Sequence, residues 1–217
     1  MIEDERIGMY IHSLDKELSE KLRHIEQEAL ANEVPIIKKP TQTLLQFLVK
    51  AHKPKHILEV GCAVGFSAIL MNESQPEDGK ITTIEKVSQR IEKAKENFAF
   101  AECCDRIELL EGDATDILKE LVAAGKEYDM IFMDAAKGQY LNFFDDIIKL
   151  LKVDGFLVSD NVLQDGDIVE SRYAIIKRNR TIHSRMRDYL YLLTHHEALQ
   201  TVILPLGDGV TLSTKLK

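Results

Sequence analysis

Apolar residues recur at helical spacing from Glu3 to Ala31, set among many glutamates and lysines, and again from Thr41 to Ala51. The period then shortens. HILEV (His56 to Val60) is a short β-type run that ends in glycine. KITTIE (Lys80 to Glu85), RIELLEGD, YDMIFMD and GFLVSDN follow as further strand-type runs, each separated from the last by a helix-length stretch. Two of those stretches, VSQRIEKAKENFAFA and FFDDIIKLLK, carry a clear helical period. Strands alternating with helices predict βαβ units, a parallel sheet and helices on both faces. Near the end, QTVILPL and GVTLSTKLK lie close together, which predicts an antiparallel hairpin at the sheet edge. The expected fold is α/β: a doubly wound, mostly parallel seven-stranded sheet with an N-terminal helical extension. Residues 1–217 read as one domain, with helices in 1–52 and the core in 53–217. No repeat, low-complexity tract or flexible linker interrupts it.

Composition narrows the class. The chain has 217 residues, 45% of them hydrophobic, enough to fill one core. A formal net charge of −8 argues against a general polyanion binder, so any nucleic-acid surface must be local. No apolar run is long enough to cross a bilayer, and the acidic start MIEDERIGMY is no signal peptide. The expectation is a soluble cytoplasmic protein with no membrane partner. Cys62, Cys103 and Cys104, an odd count with an adjacent pair, suit free thiols in a reducing compartment.

Chemistry first shows at Glu59-Val-Gly61-Cys-Ala-Val-Gly65-Phe-Ser67, where a strand runs through a glycine turn into a helix. Such a turn admits a ligand, and free N–H groups at the helix start attract a carboxylate or another anion. The spacing fits neither the dinucleotide fingerprint nor the P-loop. Glu85 stands at the next strand end, roughly 20 residues beyond the glycines, where an acid accepts hydrogen bonds from ribose hydroxyls. Gly112-Asp113-Ala114 follows the third strand. Ligands of open α/β sheets lie beyond the carboxyl ends of the strands, so these segments converge on one crevice.

Two more strands end in acids. Asp134 closes YDMIFMD, and Asp160 and Asn161 close GFLVSDN. If those strands are neighbours, two carboxylates and one amide carbonyl form a hard oxygen set suited to Mg²⁺ and unsuited to Zn²⁺. Lys137 follows Asp134 in Asp-Ala-Ala-Lys-Gly-Gln-Tyr. A lysine beside a metal in a partly dry site can serve as a base. Taken singly, the acids are explained as helix caps and Lys137 as a solvated cation. Together they are harder to explain that way.

The order E-x-G-x-x-x-G-F-S, Glu85, G-D-A, D-x-x-K-x-x-Y and D-N-V resembles the metal-dependent catechol and caffeoyl-CoA O-methyltransferases. The likeness runs from about Ile36 to the C-terminus and includes Leu204-Pro-Leu-Gly-Asp-Gly. It implies that Glu59, Gly61, Ser67, Glu85, Asp113 and Ala114 hold S-adenosylmethionine, with Ile37 near its amino-acid end and Asp134 bordering it. It also implies that Asp134, Asp160 and Asn161 hold the metal and that Lys137 is the general base. Ala136 stands where animal catechol enzymes have tryptophan, which counts against an aromatic wall gripping a catechol.

The segment from Ser171 to Leu193 bears on the acceptor. Lys177, Arg178, Arg180, Arg185 and Arg187 crowd together there, interleaved with Tyr173, Tyr189 and Tyr191. A basic, aromatic helix can bind phosphates and stack bases; equally, its arginines can be merely solvated. With KGQYLNFF, the segment is similar to the bacterial branch that methylates 5-hydroxyuridine at the tRNA wobble position. The C5 hydroxyl and C4 carbonyl of that base form an oxygen pair like that of a catechol. Three readings follow: methylation of a tRNA anticodon stem-loop, methylation of a small catechol-like phenol, and a non-catalytic S-adenosylmethionine- or RNA-binding module. The catalytic quartet Asp134, Lys137, Asp160 and Asn161 argues against the third. The N-terminal helix suggests a homodimer.

Overall fold

The computed structural model describes residues 5–171 and 173–217. Seven strands form one sheet: β1 (His56–Val60), β2 (Lys80–Glu85), β3 (Ile107–Glu111), β4 (Tyr128–Met133), β5 (Leu151–Ser159), β6 (Leu199–Leu204) and β7 (Val210–Lys215). Their order is β3-β2-β1-β4-β5-β7-β6. The first five are parallel; β7 runs antiparallel to both β5 and β6. The C-terminal pair is therefore an antiparallel hairpin at one edge of the sheet, as expected, with β7 beside β5 and β6 outermost. The strand order reverses between β1 and β4, the position where open α/β sheets make a ligand crevice.

The alternation of side chains along the strands divides the core. Ile57, Met130, Phe132, Phe156 and Val158 face one layer, formed with α2 (Glu20–Ala31), α3 (Lys39–His52), α4 (Phe66–Ser74) and α5 (Ser88–Phe100). Leu58, Val60, Ile131, Met133 and Leu157 face the other, formed with α6 (Ala114–Ala123), α7 (Tyr140–Leu150) and α8 (Arg180–His195). The central strands β1 and β4 and the second half of β5 are buried on both faces and read as apolar runs.

Several boundaries differ from expectation. The Glu3 to Ala31 pattern is two helices, α1 (Glu5–His12) and α2; Glu3 and Asp4 lie outside the described residues. The break has local causes. The Ser13 hydroxyl donates back to the Tyr10 carbonyl at 2.6 Å, and the Ser19 hydroxyl caps α2 by accepting from the Leu22 amide at 3.2 Å. Pro40 in the first turn starts α3 two residues early. At the end of FFDDIIKLLK, Leu151 and Lys152 leave α7 and begin β5. The basic segment is helical only from Arg180; Lys177 and Arg178 sit in a 3-10 turn before α8. The N-terminal helices pack into the domain core: Leu22 and Ile25 of α2 and Leu45 and Val49 of α3 are core residues.

Candidate functional site

The strand ends are knitted into one row. Asp134 N–H donates to the Val60 carbonyl at 3.0 Å, Asp160 N–H to the Met133 carbonyl at 3.0 Å, and Gly112 N–H to the Glu85 carbonyl at 2.9 Å. Pairing thus runs past the strands proper and fixes the residues that carry the chemistry. Tyr140, fully buried, points its hydroxyl at the carbonyls of Met133 and Asp160, at 3.1 and 3.0 Å, and binds the ends of β4 and β5 together.

Above this row lies a cleft of about 620 Å³. Ile37, Gly61, Glu85, Asp113, Ala114, Asp134, Lys137, Asp160 and Asn161 all line it. Glu59 does not: it is fully buried beneath, where the Thr83 hydroxyl donates to it at 2.5 Å. Burial pushes the Glu59 carboxyl up to about 8, against the opposing pull of the Ser67 and Thr83 hydroxyls. Ser67 lines a small adjoining hollow with Ile37, Gly61 and Asp134.

The glycine turn has a firmer cause than ligand access. Gly61 sits at φ +106°, and a Cβ there would meet the Asp134 carbonyl oxygen at 2.3 Å; at Gly65 a Cβ would meet the Phe98 ring at 2.5 Å. The turn is closed by Glu85, whose carboxylate accepts from the amides of Ala63, Lys86 and Val87 at 2.9, 2.8 and 3.0 Å. Asp113 caps α6 by accepting from the Thr115 amide at 2.9 Å, and that bond, with help from Lys86, lowers its carboxyl to about 2.

At the other end, the Asn161 side-chain amide donates to Asp134 at 3.0 Å, so the two lie side by side. Asn161 adopts the left-handed backbone (φ +62°), a conformation asparagine tolerates. Burial pushes Asp134 up to about 6 and Asp160, further raised by the Asp134 charge, up to about 7. Thr41 lies 3.5 Å from Asp160. Asp208, in the turn before β7, lines the same wall and adds its own negative field; it ion-pairs with Lys38. Asp208 was not singled out in the sequence, although the Leu-Gly-Asp-Gly ending contained it. Lys86, Arg90 and Gln139 also line the cleft and were missed. They are ordinary surface residue types, and only the fold brings them together.

Among the described residues, no three His, Cys, Asp or Glu side chains gather as a metal set. The candidate donors are Asp134, Asp160 and the Asn161 carbonyl. Two desolvated carboxylates that repel each other, joined by an amide, suit a hard divalent cation.

The basic segment divides. Arg180 donates to the carbonyls of Ile175 and Tyr173, at 3.1 and 3.3 Å, and holds the loop before α8. Arg185 donates to Asn142 of α7 at 2.5 Å. Lys177, Arg178 and Arg187 are exposed, as are Tyr173 (85%) and Tyr191, whose ring stacks on His195 at 3.9 Å. Tyr189 is fully buried.

The O-methyltransferase family pattern matches residues 9–216. The chain belongs to this O-methyltransferase family. It is 31% identical over 179 residues to the caffeoyl-CoA O-methyltransferase of Eucalyptus gunnii, covering 80% of this chain and 71% of that protein. It also resembles the O-methyltransferase TomG of Streptomyces achromogenes, involved in tomaymycin synthesis and solved with S-adenosylmethionine (TM-score 0.86, 26% identity, 100% of both chains). An O-methyltransferase of Bacillus cereus in complex with S-adenosylhomocysteine shares the fold, at TM-score 0.84 and 22% identity over 97% of each chain. The protein is an S-adenosylmethionine-dependent O-methyltransferase of the caffeoyl-CoA type. No described helix of this methyltransferase is long and apolar enough to cross a membrane.

Proposed function

We propose that this O-methyltransferase methylates 5-hydroxyuridine at the wobble position of tRNA to 5-methoxyuridine. The observation that carries the reading is that Lys177 and Arg178 in the turn before α8, and Arg187 with the Tyr191–His195 stack on α8, are exposed basic and aromatic groups. The helix α8, which carries Arg187 and the stack and directly follows Lys177 and Arg178, packs on the turn bearing Lys137, since Ile182 lies against Gly138. An anticodon loop held by its phosphates on those groups brings a splayed base to the Asp134 end of the cleft.

In this reading Glu85, Asp113, Ala114 and Gly61 hold the nucleoside of S-adenosylmethionine, and Ile37, Ser67 and Asp134 border its amino-acid end. Glu59 supports the floor from below. Asp134, Asp160 and Asn161 hold Mg²⁺ or a similar hard cation. When bound, the cofactor supplies the methyl group and the cation stabilises the ionised acceptor oxygen. Lys137 takes the proton from the acceptor hydroxyl, and the walls orient that oxygen for in-line attack. Cys62 is buried and has no role as nucleophile. The whole chain acts as one cytoplasmic methyltransferase domain. It pairs into a homodimer through α1, whose Met9, Tyr10 and Ile11 are exposed.

A second reading, methylation of a small catechol-like phenol, is favoured by relatives named for caffeoyl-CoA. Methyl transfer to a hydroxyuridine-containing stem-loop and to a simple catechol, assayed side by side, decides between them. Good turnover of the catechol with an untouched stem-loop refutes the tRNA reading.

A further inference from the structure

One chain of side chains runs from α8 through the first turn of α7 to the mouth of the cleft; Gln139 stands at the N-cap position of α7 but makes no side-chain cap bond. Arg185 Nη2 donates to Asn142 Oδ1 at 2.5 Å, and Asn142 Nδ2 donates to Gln139 Oε1 at 2.6 Å. Gln139 lines the cleft two residues from Lys137, in the same 3-10 turn. The polarity of this chain is not free. A guanidinium has donors only, so Asn142 must turn its oxygen to Arg185 and its NH₂ to Gln139. Gln139 must then present its oxygen to Asn142. What is left at the end of the chain is an NH₂ group, a donor with no acceptor character. Arg185 is placed for this at a cost: its Nε is buried with no partner among the described residues, which a solvated arginine would not bear.

We propose that Gln139 is a specificity residue whose NH₂ group donates to an acceptor oxygen next to the hydroxyl being methylated, and that Asn142 and Arg185 are its positioning residues. The oxygen it selects is a carbonyl or a second hydroxylate oxygen, and a substrate offering only a donor there is disfavoured. The inference rests on the O-methyltransferase reading of the cleft and, for the identity of that oxygen as the uridine C4 carbonyl, on the tRNA reading. It also moves Arg185 from the phosphate-binding set to the acceptor pocket.

The test measures kcat and KM separately for a 5-hydroxyuridine anticodon stem-loop and for a simple catechol. Gln139→Glu keeps the oxygen that Asn142 needs and replaces the outward NH₂ with a carboxylate oxygen. It should raise the acceptor KM about tenfold, the loss of one hydrogen bond plus a repulsion, and leave S-adenosylmethionine binding intact by calorimetry. Arg185→Ala should raise KM about fivefold in the parent protein and have no further effect beside Gln139→Ala. That increase should not change between about 50 and 200 mM salt, unlike a phosphate contact. Should Arg185→Ala fold poorly, Asn142→Asp, which removes the donor to Gln139, takes its place. An unchanged KM in Gln139→Glu overturns the proposal, as does an Arg185→Ala effect of equal size in both backgrounds. A parent protein that methylates only the catechol refutes the tRNA reading, and the relay is then judged on the catechol values.

Discussion

The two ends of the cleft are built on different plans. The end we propose for the cofactor is made by short segments following β1, β2 and β3, and its polar contacts run largely to backbone: three amides onto Glu85, one onto Asp113. The end we propose for the acceptor is assembled from distant pieces. Lys38 and Thr41 come from the start of α3, Asp134 and Lys137 from β4 and its turn, Asp160 and Asn161 from β5, Asp208 from the turn before β7, and Gln139 is held from α8. Backbone contacts tolerate many side-chain changes, so the first end suits a cofactor common to the family. Side chains drawn from several elements vary independently, so the second end suits an acceptor that differs among relatives.

The sharpest way to separate the ends is Asp160→Ala. Methyl transfer should fall by at least about a thousandfold, while S-adenosylmethionine affinity changes less than about twofold. A chelator should mimic the loss in the parent protein. Full activity in excess chelator refutes the cation and with it this account of the acceptor end.

Glu85→Ala probes the opposite end. If the ribose hydroxyls bond to this carboxylate, two charge-assisted hydrogen bonds of about 1.5–3 kcal/mol each are lost. Calorimetry should show affinity for S-adenosylmethionine reduced about a hundredfold or more. An affinity equal to the parent's removes Glu85 from the ribose site and leaves it as a clamp on the glycine turn.

Glu59→Gln tests the floor beneath the cofactor end. The Glu59 carboxyl rises from an ordinary 4.5 to about 8 on folding. Between those values the unfolded chain releases a proton that the native protein keeps, so stability falls as pH rises through that window and levels off above it. Glutamine retains an oxygen for the Thr83 hydroxyl and has no proton to lose. Thermal melts at a series of pH values should therefore show the variant gaining on the parent by about 2–4 kcal/mol from pH 5 to pH 8. Parallel pH profiles would show that Glu59 is ionised in the fold.

The same contrast explains what was legible in the sequence. Apolar strand runs ending in Gly61, Glu85, Asp113, Asp134 and Asp160 announced the sheet and the row of strand ends, because each signal is local. Which of the two hairpin strands pairs with β5 was not legible, since hairpin patterning sets neighbours and not their order in the sheet. Asp208, Lys38 and Gln139 were equally silent, because their roles come from the long-range meeting of ordinary residue types. By spacing alone the basic segment presents its five cations alike. Contacts to Asn142 and to the Tyr173 and Ile175 carbonyls, which spacing cannot reveal, take Arg185 and Arg180 out of that group.

That division leads to the smallest expected effect. Lys177, Arg178 and Arg187 remain exposed, in and just before α8, on a protein of net charge −8. If they meet tRNA phosphates, replacing all three with glutamine should weaken stem-loop binding only about tenfold at moderate salt, because exposed charges are well screened. The slope of log affinity against log salt should flatten by about two to three, one for each lost contact. Binding of S-adenosylmethionine should be unchanged, since none of the three lines the cleft. Turnover of a simple catechol should be unchanged for the same reason. Arg180→Gln supplies the contrast: its guanidinium is spent on two backbone carbonyls, so the variant should melt earlier, by about 1 kcal/mol, with little change in salt slope. A triple variant with the parent's salt slope, beside an Arg180 variant that flattens it, would reverse the division and place the RNA on the other side of the loop before α8.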